Sequence, residues 1–325
     1  MKAIIISRYG APEVLTITEL PDPIPAEGEI LVEVKAFGLN HAETYMRSGQ
    51  WGDVAQVTGI EAAGIVAADP SGRLAPGTPV VAIMGGMGRT RNGAYAELVT
   101  IPASNVVPVE TGSAWADLAA VPEVYATAWT TLHDNLAVTS GATVLVRGAT
   151  SALGQAAVNI AADLGATVIA TTRSQANAAL LEKIGATTVL IDDGNIADQV
   201  RDRDLAVDAL LDLIGNSALR DSVAAVRPRG RVCQAGFLGG LAPLADFNPI
   251  TDLPSGVQLS FFGSFVLGTP EFPLSDVPLA ELVAKAAAGV YHAKPVRTFA
   301  FDEIVHAHEV MESGTAGGKM TVSLG

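Results

Sequence analysis

A chain of 325 residues that is 49% apolar can bury the cores of two domains, and 33 Gly with 18 Pro suit tight loops rather than disorder. A net charge of −14 with no basic stripe excludes a nucleic-acid surface, and the one cysteine, Cys233, excludes an internal disulfide or a thiolate zinc knuckle. The apolar run in MKAIIISRYG is too short for a secretion signal, and the longest low-charge run, 149–172, is broken by Asn159, Asp163 and two glycines, so a cytoplasmic protein that spans no membrane is expected.

Residues 1–115 read as β-rich. EILVEVKAFGL alternates, GTPVVAIM and GAYAELVTIP are short apolar runs bounded by Gly and Pro, and LPDPIP (20–25) is a loop. Over 116–256 the rhythm changes. TVLVRGA reads as a buried strand, ALGQAAVNIAADLG as a helix, TVIATT as a strand, QANAALLEKIG as a helix and TTVLID as a strand. VDALLDLIG, SALRDSVAAV and GRVCQAGFL continue the pattern. This alternation predicts an α/β domain with a doubly wound parallel sheet and a ligand crevice at the carboxyl ends of its strands. Residues 257–325 return to mixed texture, with VQLSFFGSFVL as a strand and LAELVAKAAAGV and FDEIVHAHEVMES as helices.

Between the first strand and helix of the α/β region lies VRGATSALGQAA (146–157), where a dinucleotide loop would carry G-x-G-x-x-G. Here the pattern reads Ala149-x-Ser151-x-x-Gly154. Gly154 keeps the third glycine's role of close helix–strand packing, Gly148 precedes the turn, and Ala149 and Ser151 are small. A helix start still offers free N–H groups and a positive dipole end to a diphosphate. Gly148, Thr150, Ser151, Ala152, Leu153 and Gly154 are therefore candidate cofactor contacts, with the Thr150 and Ser151 hydroxyls as further donors. The alternative is a small-residue turn that holds no ligand. The next strand ends ATTRSQ, with no Asp or Glu to meet a ribose 2′-hydroxyl. Thr171, Thr172, Arg173 and Ser174 suit a 2′-phosphate instead, because a guanidinium fork matches phosphate geometry. NADPH is the expected cofactor; a solvated arginine at a helix start is the alternative.

The chain resembles the zinc-independent quinone oxidoreductase (zeta-crystallin-like) branch of the medium-chain dehydrogenases/reductases. The likeness rests on the opening 40 residues, on TGIEAAGIV, NGAYAELVTIPA, AAVPEVYATAWTTL, GATSALG, RPRGRV and HAKPV, and on the closing AHEVMESGTAGGKMTVSL. It implies a GroES-like catalytic domain built from 1–115 and 257–325, with the Rossmann domain, 116–256, inserted in it. Zinc-dependent members place a cysteine ligand where Asn40 stands and a histidine where Ile60 stands, and GGMGRTRNG replaces their four-cysteine lobe. No metal is expected. The resemblance then implies hydride transfer from NADPH to a quinone or an α,β-unsaturated carbonyl, acceptors that need no Lewis acid. Two other readings stay open: a catalytically idle NADPH-binding sensor or structural protein, and a zinc-free alcohol or aldehyde oxidoreductase.

The same likeness assigns residues. GLNHAETYMRSGQW (38–51) matches the active-site segment: Asn40 would face nicotinamide and substrate, and Tyr45 would donate to a carbonyl or relay a proton. Trp51 would stack. His41 stands where enoyl reductases carry a tyrosine proton donor, and an imidazole with an ordinary pKa near ~6.5 can serve as an acid; a hydrogen-bonded wall residue is the alternative. Glu43 is expected to orient the loop and Glu61 to be structural. Thr127 matches a position beside the nicotinamide, Ile214 and the Gly236–Phe237 pair would line the crevice, and Lys319 matches a basic residue near the cofactor, or is an exposed lysine. His306 and His308, two apart on a helix, face different ways and form no metal pair. Cys233 reads as buried filler. The partners implied are a small-molecule quinone or enone and a second copy of the chain, a homodimer joined through VQLSFFGSFVL as a sheet edge; a strand buried within one subunit is the alternative.

Overall fold

The structure, a computed structural model, describes residues 1–110 and 112–325. It divides into two units, Met1–Ala126 with Ser264–Gly325, and Thr127–Gly263.

In the first unit β1 (Lys2–Ile6) and β2 (Leu15–Glu19) pair antiparallel. Five further strands, β3 (Glu29–Leu39), β4 (Glu61–Ala68), β5 (Pro79–Ile83), β6 (Leu98–Pro102) and β7 (Val106–Pro108), belong to a seven-stranded sheet. The alternation in EILVEVKAFGL makes β3 its centre: Ile30, Val32 and Val34 are buried on one face, where they join a core with Val99, Ile101 and Phe299. β3 pairs antiparallel with both β4 and β6, and register shifts at Leu31/Val32 and Val34/Ala36 bend it between those partners.

The second unit holds six strands, β8 (Thr143–Arg147), β9 (Thr167–Thr172), β10 (Thr188–Ile191), β11 (Ala209–Asp212), β12 (Arg231–Gln234) and β13 (Gln258–Phe261). All pair in parallel, in the order β10-β9-β8-β11-β12-β13. Counted within the unit this is 3-2-1-4-5-6, the Rossmann arrangement, whose crevice opens where the order reverses beside β8. Val144, Leu145 and Val146 are buried on consecutive positions, as expected of a strand covered on both faces.

Two boundaries lie further along the chain than the sequence texture suggests. Residues 116–126 stay with the first unit because the helix Trp115–Ala119 buries Leu118 and Ala119 and packs on β3 and β4. The stretch VQLSFFGSFVL is not one strand: Gln258–Phe261 pairs with β12 as the sixth strand of the second unit, and the chain turns after Gly263. The first unit is completed by β14 (Arg297–Ala300), parallel to β15 (Met320–Ser323), which runs antiparallel to β3 with Met320 opposite Leu39. Among the described residues no helix is long and apolar enough to cross a membrane.

Candidate active-site cluster and nucleotide loop

The Met320–Leu39 register sets Lys319 beside Asn40, although 279 residues separate them. The Lys319 ammonium donates to Asn40 Oδ1 at 2.6 Å and to Glu61 Oε1 at 2.5 Å. Asn40 Nδ2 donates to the same Glu61 oxygen at 2.9 Å, and Glu61 Oε2 accepts from the Glu123 N–H at 2.7 Å. All three side chains are buried, so each charge depends on the other: a lone carboxylate there would carry its full desolvation penalty. The side chain of Ile60, next to Glu61, offers no metal-ligating atom. Among the described residues no group of three or more His, Cys, Asp or Glu could hold a metal ion.

Asn40 also begins the helix His41–Ser48, and Glu43 reaches back to it. Glu43 Oε2 accepts from the Asn40 N–H at 2.8 Å and from Tyr95 Oη at 2.8 Å, while Oε1 accepts from the Ile60 N–H at 3.1 Å. Burial pushes the Glu43 carboxyl up to about 7, against the opposing pull of those donors and of Lys319. Tyr95 Oη lies 3.1 Å from His308 Nε2, and its ring stacks on Phe37 at 4.4 Å. Burial drops the His308 imidazole to about 3, and its Nδ1 has no hydrogen-bond partner among the described residues.

The same helix presents His41 and Tyr45, one turn apart. His41 meets the Tyr45 ring edge-on at 5.1 Å, and Tyr45 lies nearly parallel to Trp51, 16° off at 6.3 Å. Burial lowers the His41 imidazole below its ordinary value and raises the Tyr45 phenol. The neutral imidazole and the neutral phenol are thus the forms present at pH 7, and a neutral phenol is a hydrogen-bond donor.

In the second unit the loop after β8 is closed by its own serine. Ser151 Oγ donates to the Gly148 carbonyl at 2.8 Å and accepts from the Gly154 N–H at 3.1 Å, and the Ser151 N–H also goes to Gly148 O at 3.1 Å. The Ser151 hydroxyl is therefore spent inside the loop as the cap of the helix Ala152–Asp163. Among the described residues the N–H groups of Ala152 and Leu153, in the first turn of this helix, have no backbone acceptor. Gly154 has no alternative: a Cβ there would lie 2.5 Å from Gly148 O and 2.7 Å from Ala149 Cα. Gly148 N donates to Thr171 Oγ1 at 3.1 Å, which ties the loop to the end of β9. Beyond β9, Thr172 Oγ1 accepts from the Ser174 N–H at 3.2 Å, and Arg173 points into solvent with no partner among the described residues. Asp212 Oδ1 accepts from Ile214 N (2.8 Å) and Gly215 N (2.9 Å), and Gly239 N donates to Ile214 O at 2.8 Å, so Ile214 and the Gly236–Phe237 segment meet at the ends of β11 and β12.

Asn40, His41, Tyr45 and Lys319 thus stand in the first unit, and Thr127 and the loop residues in the second. Lys319 is buried, not exposed, and its ammonium is committed to Asn40 and Glu61. Sequence reasoning missed the Tyr95–His308 pair, which no spacing could reveal, and Arg147. Buried at the end of β8, Arg147 binds Asp192 through Nε and Nη2 at 2.8 and 2.9 Å, and Nη1 meets Asp221 at 2.7 Å. An arginine inside the apolar TVLVRGA was the available signal, since a buried guanidinium needs carboxylates.

Residues 26–111 match the family model of the alcohol dehydrogenase GroES-like domain, and residues 152–281 that of the zinc-binding dehydrogenases. Quinone oxidoreductase of Homo sapiens is 25% identical over 338 residues, which cover 100% of this chain and 98% of the human protein. A 2-haloacrylate reductase of a Burkholderia species is 28% identical over 338 residues, covering 98% of this chain and 96% of that one. Among solved structures, a mycobacterial protein complexed with NADPH superposes with a TM-score of 0.84 at 26% identity, over 99% of this chain and 100% of the other.

Proposed function

Because the chain belongs to the medium-chain dehydrogenase/reductase superfamily, we propose that it uses NADPH to reduce a quinone or an α,β-unsaturated carbonyl without a metal ion. The observation that carries this reading is the engagement of Asn40 and Glu61 with the Lys319 ammonium, beside an Ile60 whose side chain has no metal-ligating atom. The polar atoms of that corner are satisfied without a Lewis acid, which alcohol oxidation would call on. A conjugated carbonyl is already electrophilic and asks for orientation and a hydrogen-bond donor on its oxygen.

The loop fits a dinucleotide. The N–H groups of Ala152 and Leu153 at a helix start, the missing Cβ at Gly154 and Arg173, which has no partner among the described residues, would hold a pyrophosphate and a 2′-phosphate. NADPH, when bound, supplies the hydride. Tyr45 donates to the acceptor carbonyl through its neutral phenol, and His41 beside it is the second group able to pass a proton. Asn40 fixes the start of the helix that carries both. The names of the human and Burkholderia relatives, a quinone oxidoreductase and a haloacrylate reductase, support reduction of activated acceptors. The open edge of β13, where Phe261 is 54% exposed, is the proposed contact of a homodimer.

The test is steady-state NADPH oxidation with a panel of 1,4-benzoquinones and enones, for which saturable turnover is expected. NADPH binding in calorimetry without turnover of any acceptor would overturn the reading in favour of an idle cofactor binder.

A further inference from the structure

We propose that Arg89 is a specificity-determining residue that binds a carboxylate of the substrate, making the preferred acceptor a planar conjugated carbonyl that also carries an acid group. This rests on the reading that the first unit receives the reducible acceptor.

The mount of Arg89 is rigid. The loop after β5 runs through left-handed backbone at Met84 (φ 56°), Gly85 (60°), Gly86 (86°) and Gly88 (71°), a conformation that only glycine adopts without cost. The N–H groups of Arg89, Thr90 and Arg91 converge on the Gly86 carbonyl at 3.1, 3.0 and 3.2 Å. Farther on, Gly93 donates to Val57 O at 2.8 Å, so close to the Val57–Gly59 backbone that a Cβ would sit 2.2 Å from Gly59 O.

From this loop the guanidinium lies 4.6 Å from the Phe265 ring and 5.6 Å from the Trp51 ring, the ring that stacks with Tyr45. Cation–π contact uses the faces of the guanidinium and leaves the N–H donors around its edge. No carboxylate among the described residues pairs with Arg89. The contrast with other buried or half-buried arginines is clear: Arg91 is paired with Glu29 at 2.7 Å, Arg47 with Glu312, and Arg147 with Asp192 and Asp221. Half-buried, Arg89 is partly desolvated, and burial pulls its pKa down. A half-buried cation without an anion is the complement of a carboxylate, which a guanidinium takes two-pronged. The chain's charge of −14 would otherwise repel such a substrate. The stack of Tyr45, Trp51 and Arg89 therefore offers a conjugated acid two things at once: ring faces for its plane and a cation for its end.

The probe is (E)-4-oxo-4-phenylbut-2-enoate and its methyl ester as acceptors. The saturated 4-oxo-4-phenylbutanoate and its ester, which cannot be reduced, serve as calorimetric ligands of the NADPH-loaded protein. A charged hydrogen-bonded contact predicts that the acids are preferred over their esters by about tenfold or more, in kcat/KM and in affinity. In Arg89→Met this preference collapses, and Arg89→Lys restores part of it. Arg89→Gln serves should the methionine variant fail to fold. Equal treatment of acid and ester by the wild type, or the same loss for both in Arg89→Met, overturns the proposal. Arg89-dependent binding of the saturated acid without turnover of the enone would overturn the reductase reading alone and leave this one standing.

Discussion

Replacing Glu43 by glutamine should remove a pH dependence from the protein's stability. Glu43 is fully buried and accepts from Asn40 N, Ile60 N and Tyr95 Oη, yet burial outweighs these donors and its carboxyl titrates at about 7 instead of 4.5. The folded state therefore binds this proton more tightly than the unfolded chain does. The contribution to stability is present in full below about pH 4.5 and is lost as pH rises to about 7. At 1.36 kcal/mol per pKa unit, that span corresponds to ~3 kcal/mol. Glutamine has no proton to lose. Its amide faces the Asn40 and Tyr95 donors poorly, but that cost is the same at every pH. The assay is urea unfolding of both proteins at intervals from pH 5 to 8. The wild type should lose ~2.5 kcal/mol relative to the variant across that range, the rest of the effect lying below pH 5, with most of the change complete by about pH 7. Parallel curves, or a wild type that gains on the variant as pH rises, would refute the reasoning.

Gly154→Ala places a methyl group 2.5 Å from Gly148 O and 2.7 Å from Ala149 Cα, backbone atoms that no side-chain rotation can relieve. Overpacking of this kind should cost ~1–3 kcal/mol in urea unfolding and weaken NADPH in calorimetry; a variant equal to wild type in both would show that the loop has room. Arg173→Ala should weaken NADPH by ~1.5–3 kcal/mol, the worth of a charged hydrogen bond, and leave NADH nearly as before. An equal loss for both cofactors would show that Arg173 does not read the 2′-phosphate.

The α/β unit was legible because each of its strands is a short apolar run and each following helix repeats apolar residues three and four apart. TVLVRGA, TVIATT and TTVLID became β8, β9 and β10, and VDALLDLIG and GRVCQAGFL hold β11 and β12. The stretch 257–267 was harder: pattern shows that Gln258–Phe261 can be a strand, but only pairing decides which sheet takes it. The loop after β8 showed its small residues at once, while the inward turn of the Ser151 hydroxyl depends on the geometry of Gly148 and Gly154. Asn40, Tyr45 and Lys319 were reached one by one through family likeness. That Lys319 would neutralise Glu61, and that Tyr95 would join Glu43 to His308, follows from strand register across more than two hundred residues. Local sequence carries no trace of such pairs.

The Lys319–Glu61 pair also has a consequence for biosynthesis. During translation Glu61 and Asn40 leave the ribosome early, whereas their counter-cation follows 258 and 279 residues later, with β15. Until then the corner around Glu61 would hold a carboxylate with nothing to neutralise it, and β3 would lack its β15 neighbour. The first unit therefore cannot close in the order in which it is made, while residues 127–263 are all available to fold as one piece before that cation appears. A ribosome stalled short of Lys319 would therefore hold a first unit that lacks both β15 and the cation beside Glu61.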